Sequence, residues 1–317
     1  MVSLFAGCGG SSLGYSMAGF RELLAVEWDD NAVETFRLNF PGVPVYHGDI
    51  AKLSVEEALK QTGLQPGELD VLDGSPPCQG FSTAGKRVMD DSRNSLFREY
   101  VRLLRGLRPN VLVMENVSGM VKGKMKLIFA EILRELKASG YKVSARLMNA
   151  MYFNVPQSRE RLIFVGVRED LGIVPSHPKA ESRARTVRDA LDGLLDDVSD
   201  RVVPKADSIT FKQMTSVRPG QRCNVHHSHH RLALDRPSAT VDRGGGAGEW
   251  HIWHPTDNRP ITRSEVKRLS SFPDVFQFAG GVSAAFVRIG NSVPPLFMRA
   301  IAQHIRQNIL EPRLADA

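Results

Sequence analysis

The first 168 residues alternate short apolar runs with segments whose apolar positions recur every three to four residues. Apolar runs at 2–5, 23–27, 43–46, 69–73, 111–115, 142–148 and 162–167 predict seven strands. Helices are expected between them. The clearest is 125–139, where Leu127, Ile128, Ile132, Leu133 and Leu136 share one face and Gly140 follows as a terminator. Another opens at Asp29-Asp30, which offer capping oxygens, and carries Val33, Phe36 and Phe40. Such alternation implies an α/β fold, a mostly parallel sheet with helices on both faces. After Arg168 the pattern changes. Residues 171–260 are rich in Pro, Gly, Ser, Asp and Arg and weakly periodic, which predicts short strands and loops. Helical spacing returns at 295–309, through Phe297, Ile301, Ile305 and Ile309. The predicted division is a large domain at 1–170, a smaller one at 171–280, and a segment at 281–317 that returns to the first.

With 317 residues the chain can bury a sizeable core in one large or two unequal domains. Hydrophobic content of 42% and charged content of 24% describe an ordinary globular protein. No apolar run approaches the length of a membrane span, so no membrane partner is expected. The start Met1-Val2-Ser3-Leu4-Phe5 lacks the basic region and apolar core of a secretory signal. Cys8, Cys78 and Cys223 are widely spaced, which argues against a disulfide framework and fits a reducing, cytoplasmic compartment. The formal charge is +6 and unevenly placed. Residues 79–108 hold seven Lys/Arg against three acids, and 201–231 hold six against one Asp, with four histidines. Both stretches suit a polyanionic partner, and either alone reads equally well as a solvated basic face.

Candidate chemistry clusters after the predicted strands. Gly74-Ser75-Pro76-Pro77-Cys78-Gln79-Gly80-Phe81-Ser82 follows the run at 69–73. Two prolines fix the backbone just before the cysteine, which holds its thiol at a strand-to-loop corner. A thiol there can attack an electrophilic carbon. Phe5-Ala6-Gly7-Cys8-Gly9-Gly10 is a glycine-rich turn after the first strand. It either brings backbone close to a cofactor or simply joins strand to helix. Glu27-Trp28-Asp29 ends the second strand, with an acid suited to ribose hydroxyls and an indole able to cover a purine. Gly48-Asp49-Ile50 follows the third. All three map to the C-terminal edge of the sheet and together suggest an adenosine-bearing cofactor. No Lys follows the glycines, which speaks against a triphosphate loop. Met114-Glu115-Asn116-Val117 ends the fifth strand, where partial desolvation should raise the glutamate's pKa and let it donate a proton near neutrality. Gln157-Ser158-Arg159-Glu160-Arg161 leads into the seventh. Its two arginines, two apart on an extended segment, point the same way. They can fix an acceptor-rich ring or a phosphate, or form a solvated edge.

In this order the motifs resemble those of the cytosine-C5 DNA methyltransferases of bacterial restriction-modification type. Residues 5–10 resemble the family's first motif, 74–82 its catalytic Pro-Cys motif, 115–117 its Glu-Asn-Val motif and 157–161 its Gln-x-Arg-x-Arg motif. Residues 259–274 resemble the ninth, and Gly290-Asn291-Ser292-Val293-Pro294-Pro295 the tenth. The resemblance implies a Rossmann-like class I methyltransferase fold with a smaller, irregular target-recognition domain. It implies Cys78, Glu115, Arg159 and Arg161 as the catalytic set. Cys78 would add to cytosine C6, Glu115 would hold N3 and the exocyclic amine, Arg161 would bind O2, and Arg159 would brace the site. The implied cofactor is S-adenosyl-L-methionine, held by Phe5, Gly7, Cys8, Gly10, Glu27, Trp28, Asp49, Ile50, Pro77, Leu96, Asn291 and Ser292. The implied partner is double-stranded DNA with the target base flipped out, since C5 and C6 are unreachable inside a stack. Segment 79–98 then reads as a mobile loop that closes over the base. Expected DNA contacts are Gln79, Ser82, Lys86, Arg87 and Arg93, with Arg218, Arg222, Arg231 and Arg243 in the small domain. A nucleoid-associated monomer on DNA is expected. A cognate restriction endonuclease acting on the same sequence is a further partner the resemblance allows.

Other readings stay open. The tRNA-cytosine methyltransferases resemble this fold and catalytic set but carry Cys-Phe-Thr, and no cysteine here is followed by Phe-Thr. A non-catalytic DNA-binding relative would not need Cys78, Glu115, Arg159 and Arg161 intact. An NAD-dependent oxidoreductase leaves Pro76-Pro77-Cys78 unexplained. Cys223 with His226, His227, His229 and His230 lacks the spacing of a structural zinc site, so no metal is expected. Cys8 is expected as a small packed residue, and Trp250 and Trp253 as core of the small domain. Residues 263–271 are more polar than the ninth motif leads one to expect.

Overall fold

The computed structural model describes residues 1–77, 95–180, 183–194, 201, 203–225, 229–242 and 251–312, the side chains of Ser95 and Lys124 excepted. The chain divides into two compact units. One comprises Met1–Met148, Glu160–Lys179 and Met298–Ala317, the other Asn149–Arg159 and Ala180–Phe297.

All seven apolar runs form strands of one sheet in the first unit, their ends moved by at most two residues. They are β1 (Val2–Leu4), β2 (Leu24–Glu27), β3 (Val45–His47), β4 (Val71–Gly74), β5 (Val111–Val117), β6 (Tyr141–Asn149) and β7 (Glu160–Arg168). The order is β3-β2-β1-β4-β5-β7-β6. Pairs among the first five are parallel, and β7 runs antiparallel to β5. β1, β2 and β4 are buried along their whole length, which is why they read as unbroken apolar runs rather than as alternation.

The helices of this unit are α1 (Gly10–Met17), α2 (Asp30–Asn39), α3 (Val55–Thr62), α4 (Ser95–Leu107) and α5 (Lys126–Ala138). Asp29 caps α2 as expected, its side chain accepting from Ala32 N at 2.9 Å. α5 ends at Gly140, whose φ of +88° favours glycine. Helix α4 corrects the expected loop at 79–98, because Ser95 to Arg98 are already helical. Leu96 and Phe97 belong to the same apolar stripe as Tyr100, Leu103, Leu104 and Leu107, which packs on the strands, and that burial extends the helix. Each such fully buried Leu contributes roughly 1.5–3 kcal/mol.

The second unit carries α6 (Val187–Leu191), α7 (Ile209–Ser216), β8 (His230–Arg231), β9 (Ile252–Trp253), α8 (Arg263–Leu269) and α9 (Val282–Asn291). Short helices thus join the short strands expected there; elements this brief leave little periodicity to read. Trp253 is fully buried against Met214, Val217 and Cys223, as core of the unit. The polar stretch 263–271 forms α8. Its charges are partnered: Glu265 closes a capping box with Thr262 and receives both terminal nitrogens of Arg259, at 2.8 and 2.9 Å. Lys267 Nζ donates to Asp274 O at 2.7 Å. The division between units crosses α10 (Pro295–Ile305), which continues into a π-turn at Arg306–Leu310.

Candidate active site

β1 lies between β2 and β4, so the chain leaves it to one side and later returns to the other. A reversal of this kind marks the C-terminal strand ends as the place where ligands of open α/β sheets bind. In the ladder Leu4 is opposite Gly74, and Gly74 is opposite Met114. Phe5, Ser75 and Glu115 therefore leave three adjacent strands side by side.

The turn after β1 is shaped by left-handed backbone. Phe5, Gly7 and Gly9 have φ of +60°, +56° and +91°. Phe5 is the non-glycine among them and carries the associated strain. A Cβ on Gly9 would lie 2.4 Å from Phe40 Cε2, so the turn admits no side chain there. Cys8 is buried, in keeping with a packing role, and Gly10 starts α1. The Glu27 carboxylate closes the turn from the next strand. Its Oε2 accepts from Gly7 N at 2.8 Å, and its Oε1 from Trp28 N and Asp29 N at 2.9 and 3.0 Å. Trp28 beside it is 77% exposed, an unusual placement for so large an apolar surface. Asp49 Oδ1 accepts from Ala51 N at 3.0 Å, and Ile50 is buried. Leu96 is partly buried on the core, and Pro77 is exposed. Asn291 and Ser292 fall in the second unit, at the end of α9.

These residues fit an adenosine-bearing group. The turn offers close backbone approach, the carboxylates of Glu27 and Asp49 can accept from hydroxyl and amine groups, and the uncovered Trp28 face suits a purine.

On β5 and β7 the antiparallel register sets Val117 opposite Arg161 and Glu115 opposite Ile163. Glu115 and Arg161 are thus diagonal neighbours, and Arg161 Nε lies 2.6 Å from Glu115 Oε1. A second arginine nitrogen, Nη1, donates to its own Glu160 O at 2.8 Å. Asn116 is buried and its Nδ2 donates to Pro76 O at 3.3 Å, which anchors the Pro-Pro corner to β5. Sequence reasoning assigned Asn116 no role, although an amide inside an apolar strand was the available signal.

Arg159 is expected in the catalytic set as a brace, and what it holds is backbone. It is 2% exposed, and its guanidinium donates to Val241 O at 2.8 Å and Gly290 O at 2.7 Å. It holds backbone within the second unit and belongs among positioning residues. Gln157 is also buried there. It donates to Leu269 O and Ser270 Oγ and accepts from Val241 N. Arg231 is likewise corrected. An exposed phosphate contact was expected, yet it is 4% exposed. Its guanidinium donates to the carbonyls of Met214, Val217, His254 and Asp257 and to Asn258 Oδ1, at 2.6 to 2.9 Å. Those bonds hold the fold of the second unit. Arg218 and Arg222 are exposed, as a phosphate contact requires. Cys78, Gln79, Ser82, Lys86, Arg87, Arg93 and Arg243 lie outside the described residues, as do His226, His227 and Trp250.

Comparison with known proteins finds relatives along nearly the whole chain. A model of the C-5 cytosine-specific DNA methylase family matches residues 1–307. A Type II methyltransferase of Haemophilus parahaemolyticus is 34% identical over 326 residues, covering 96% of this chain and 86% of the relative. One from Neisseria gonorrhoeae is 32% identical over 336 residues, covering 98% and 96%. Among solved structures, a prophage-encoded candidate DNA modification methyltransferase of E. coli aligns with a TM-score of 0.81 at 27% identity, covering 98% of this chain and 99% of that one. The Dnmt2 methyltransferase of S. pombe aligns at 0.69 with 20% identity over 98% of both chains, a likeness of fold alone.

Proposed function

The chain belongs to the C-5 cytosine-specific DNA methylase family and is a DNA cytosine-5 methyltransferase of restriction-modification type, and from that premise we propose its mechanism. The methyl donor is S-adenosyl-L-methionine, which supplies an electrophilic methyl group to cytosine C5. Phe5, Gly7, Glu27, Trp28 and Asp49 would hold it, and the family resemblance adds Cys8, Gly10, Ile50, Pro77, Leu96, Asn291 and Ser292.

Cytosine C5 is a poor nucleophile. Addition of the Cys78 thiolate to C6 of a flipped base breaks the ring's conjugation and places electron density on C5. The charge this creates falls on N3 and O2. Glu115 would pass a proton to N3 through Oε2 as the thiolate adds, because Arg161 already occupies Oε1 at 2.6 Å, and would then accept from N3–H and the exocyclic amine. Arg161 would present Nη2 to O2, a charge-assisted bond. Once C5 has taken the methyl group, loss of the C5 proton to a water, return of the N3 proton to Glu115 and expulsion of the Cys78 thiolate restore the aromatic ring as 5-methylcytosine. Arg159 acts on this chemistry only through the backbone it holds.

The observation that carries the reading is the Glu115–Arg161 pair on the strand next to the one that runs into Pro76-Pro77-Cys78. The segment 171–280 would read the target, with Arg218 and Arg222 at phosphates. The enzyme would act as a monomer, with a cognate endonuclease on the same sequence. Incubation with tritiated S-adenosylmethionine and mixed-sequence duplex DNA should label 5-methylcytosine. Cys78→Ser should abolish labelling while cofactor binding survives. Label confined to tRNA, or near-normal transfer by Cys78→Ser, would overturn the mechanism.

A further inference from the structure

Two carboxylic acids lie inside the first unit, away from the groups assigned above. Asp73 sits on β4 opposite Ser3 of β1, five residues before Cys78, and is 3% exposed. Tyr15 of α1 is fully buried and donates to Asp73 Oδ1 at 3.3 Å. Glu22 Oε1 accepts from Ser3 Oγ, and from Ser12 Oγ of α1 at 3.2 Å. Its Oε2 is buried with no partner among the described residues. Helix α1 begins at the last residue of the cofactor turn, and β4 runs into Pro76-Pro77-Cys78. One buried bond thus joins the helix behind one half of the site to the strand that leads into the other half.

We propose that Asp73 and Tyr15 form a positioning pair that holds the cofactor turn in register with the strand of the nucleophile. This rests on the reading of residues 5–10 as the S-adenosylmethionine turn. The pair is sensitive to pH. Burial and then the Glu22 carboxylate push Asp73 up to about 8; Glu115 adds to the rise, and bonds from Tyr15 and Ser11 oppose it. Burial pushes Glu22 up to about 7, against Ser3, Ser12 and the amino terminus. Tyr15 and Tyr100, which also face Asp73, are raised further and stay neutral. Near neutrality Asp73 is uncharged. Ionisation above pH 8 sets a new anion against Glu22 and Glu115 in a medium that solvates it poorly.

If only the protonated form holds the turn, apparent cofactor affinity falls about twofold by pH 8 and about tenfold by pH 9. The test is calorimetric titration of S-adenosylmethionine across that range, in a Cys78→Ser background that removes thiol ionisation. The background protein should show the fall. Asp73→Asn keeps an acceptor for Tyr15 but cannot ionise, so it should bind evenly across the range. Tyr15→Phe removes the bond itself, so it should weaken S-adenosylmethionine binding at every pH and move the midpoint of any remaining fall upward, because the lost bond favoured the ionised acid. An unchanged profile in Asp73→Asn would overturn the proposal, and so would variants that lower only the unfolding temperature. Folded protein that binds no S-adenosylmethionine at any pH would instead overturn the cofactor reading itself.

Discussion

Replacing Arg161 with methionine removes the partner of a carboxylate held at 2.6 Å, with side-chain exposures of 15% for the arginine and 11% for Glu115. A hydrogen bond to a charged group contributes ~1.5–3 kcal/mol, and stranding a fully buried charge costs ~3–5 kcal/mol. The residual exposure places Arg161→Met at ~2–3 kcal/mol of lost stability. Glu115→Gln leaves the guanidinium a neutral acceptor and should cost less. Because each single change spoils the same contact, the double variant should cost less than their sum, with a coupling energy of ~1–2 kcal/mol. Urea unfolding of the four proteins measures that cycle. Single-turnover methyl transfer reads the chemical side: with the O2 charge unanswered and Glu115 left without its partner, Arg161→Met should slow transfer by about 10²–10⁴. Arg161→Lys keeps the charge but loses the planar fork and should fall between. Stability costs that add to within ~0.3 kcal/mol, together with near-normal transfer by Arg161→Met, would refute the reasoning.

Asp73 and Glu22, pushed up to about 8 and about 7, keep protons when folded that the unfolded chain has released. Their contribution to stability is therefore full below about pH 4, declines as pH rises and is gone by about pH 8; denaturant midpoints of the wild-type protein should fall relative to those of Asp73→Asn over that range. Arg231→Ala strands five acceptors in the second unit and should cost ~3 kcal/mol or more, seen as a lower urea midpoint. Arg218→Ala, at an exposed position, should leave unfolding unchanged and reduce the slope of log affinity for DNA against log salt by about 1. Trp28→Ala should alter stability by less than ~0.5 kcal/mol, given 77% exposure, while weakening S-adenosylmethionine binding about fivefold in calorimetry.

The strand pattern was legible because central parallel strands are apolar on both faces, so Val2–Leu4, Leu24–Glu27 and Val111–Val117 stand out without knowledge of their neighbours. The motifs were legible for a similar reason. A left-handed turn needs glycines, a rigid corner needs prolines, and both leave their mark within a few residues. Helix α4 was underestimated at its start, since Leu96 and Phe97 gain their helical state from packing on strands far along the chain. The polar face of α8 misled in the same way, because its charges are matched by Arg259 and Asp274 rather than by water.

Arginines show the limit most clearly. In the sequence, motif and charge place Arg159, Arg161, Arg218 and Arg231 alike as cations offered to substrate or DNA, with nothing local to tell which are buried. In the fold, Arg161 pairs with a strand-end carboxylate, Arg159 and Arg231 are spent on backbone carbonyls, and Arg218 is left at the surface. The acids divide likewise into Glu27 on its amides and Asp73 beneath a tyrosine. The sequence alone determined the sheet, the order of motifs and hence the family, because periodicity and turn chemistry are local. Tertiary structure decided which charged groups pair at the strand ends and which hold the scaffold. A long polar side chain takes its role from its burial and partners, and those come from residues tens to more than a hundred positions away.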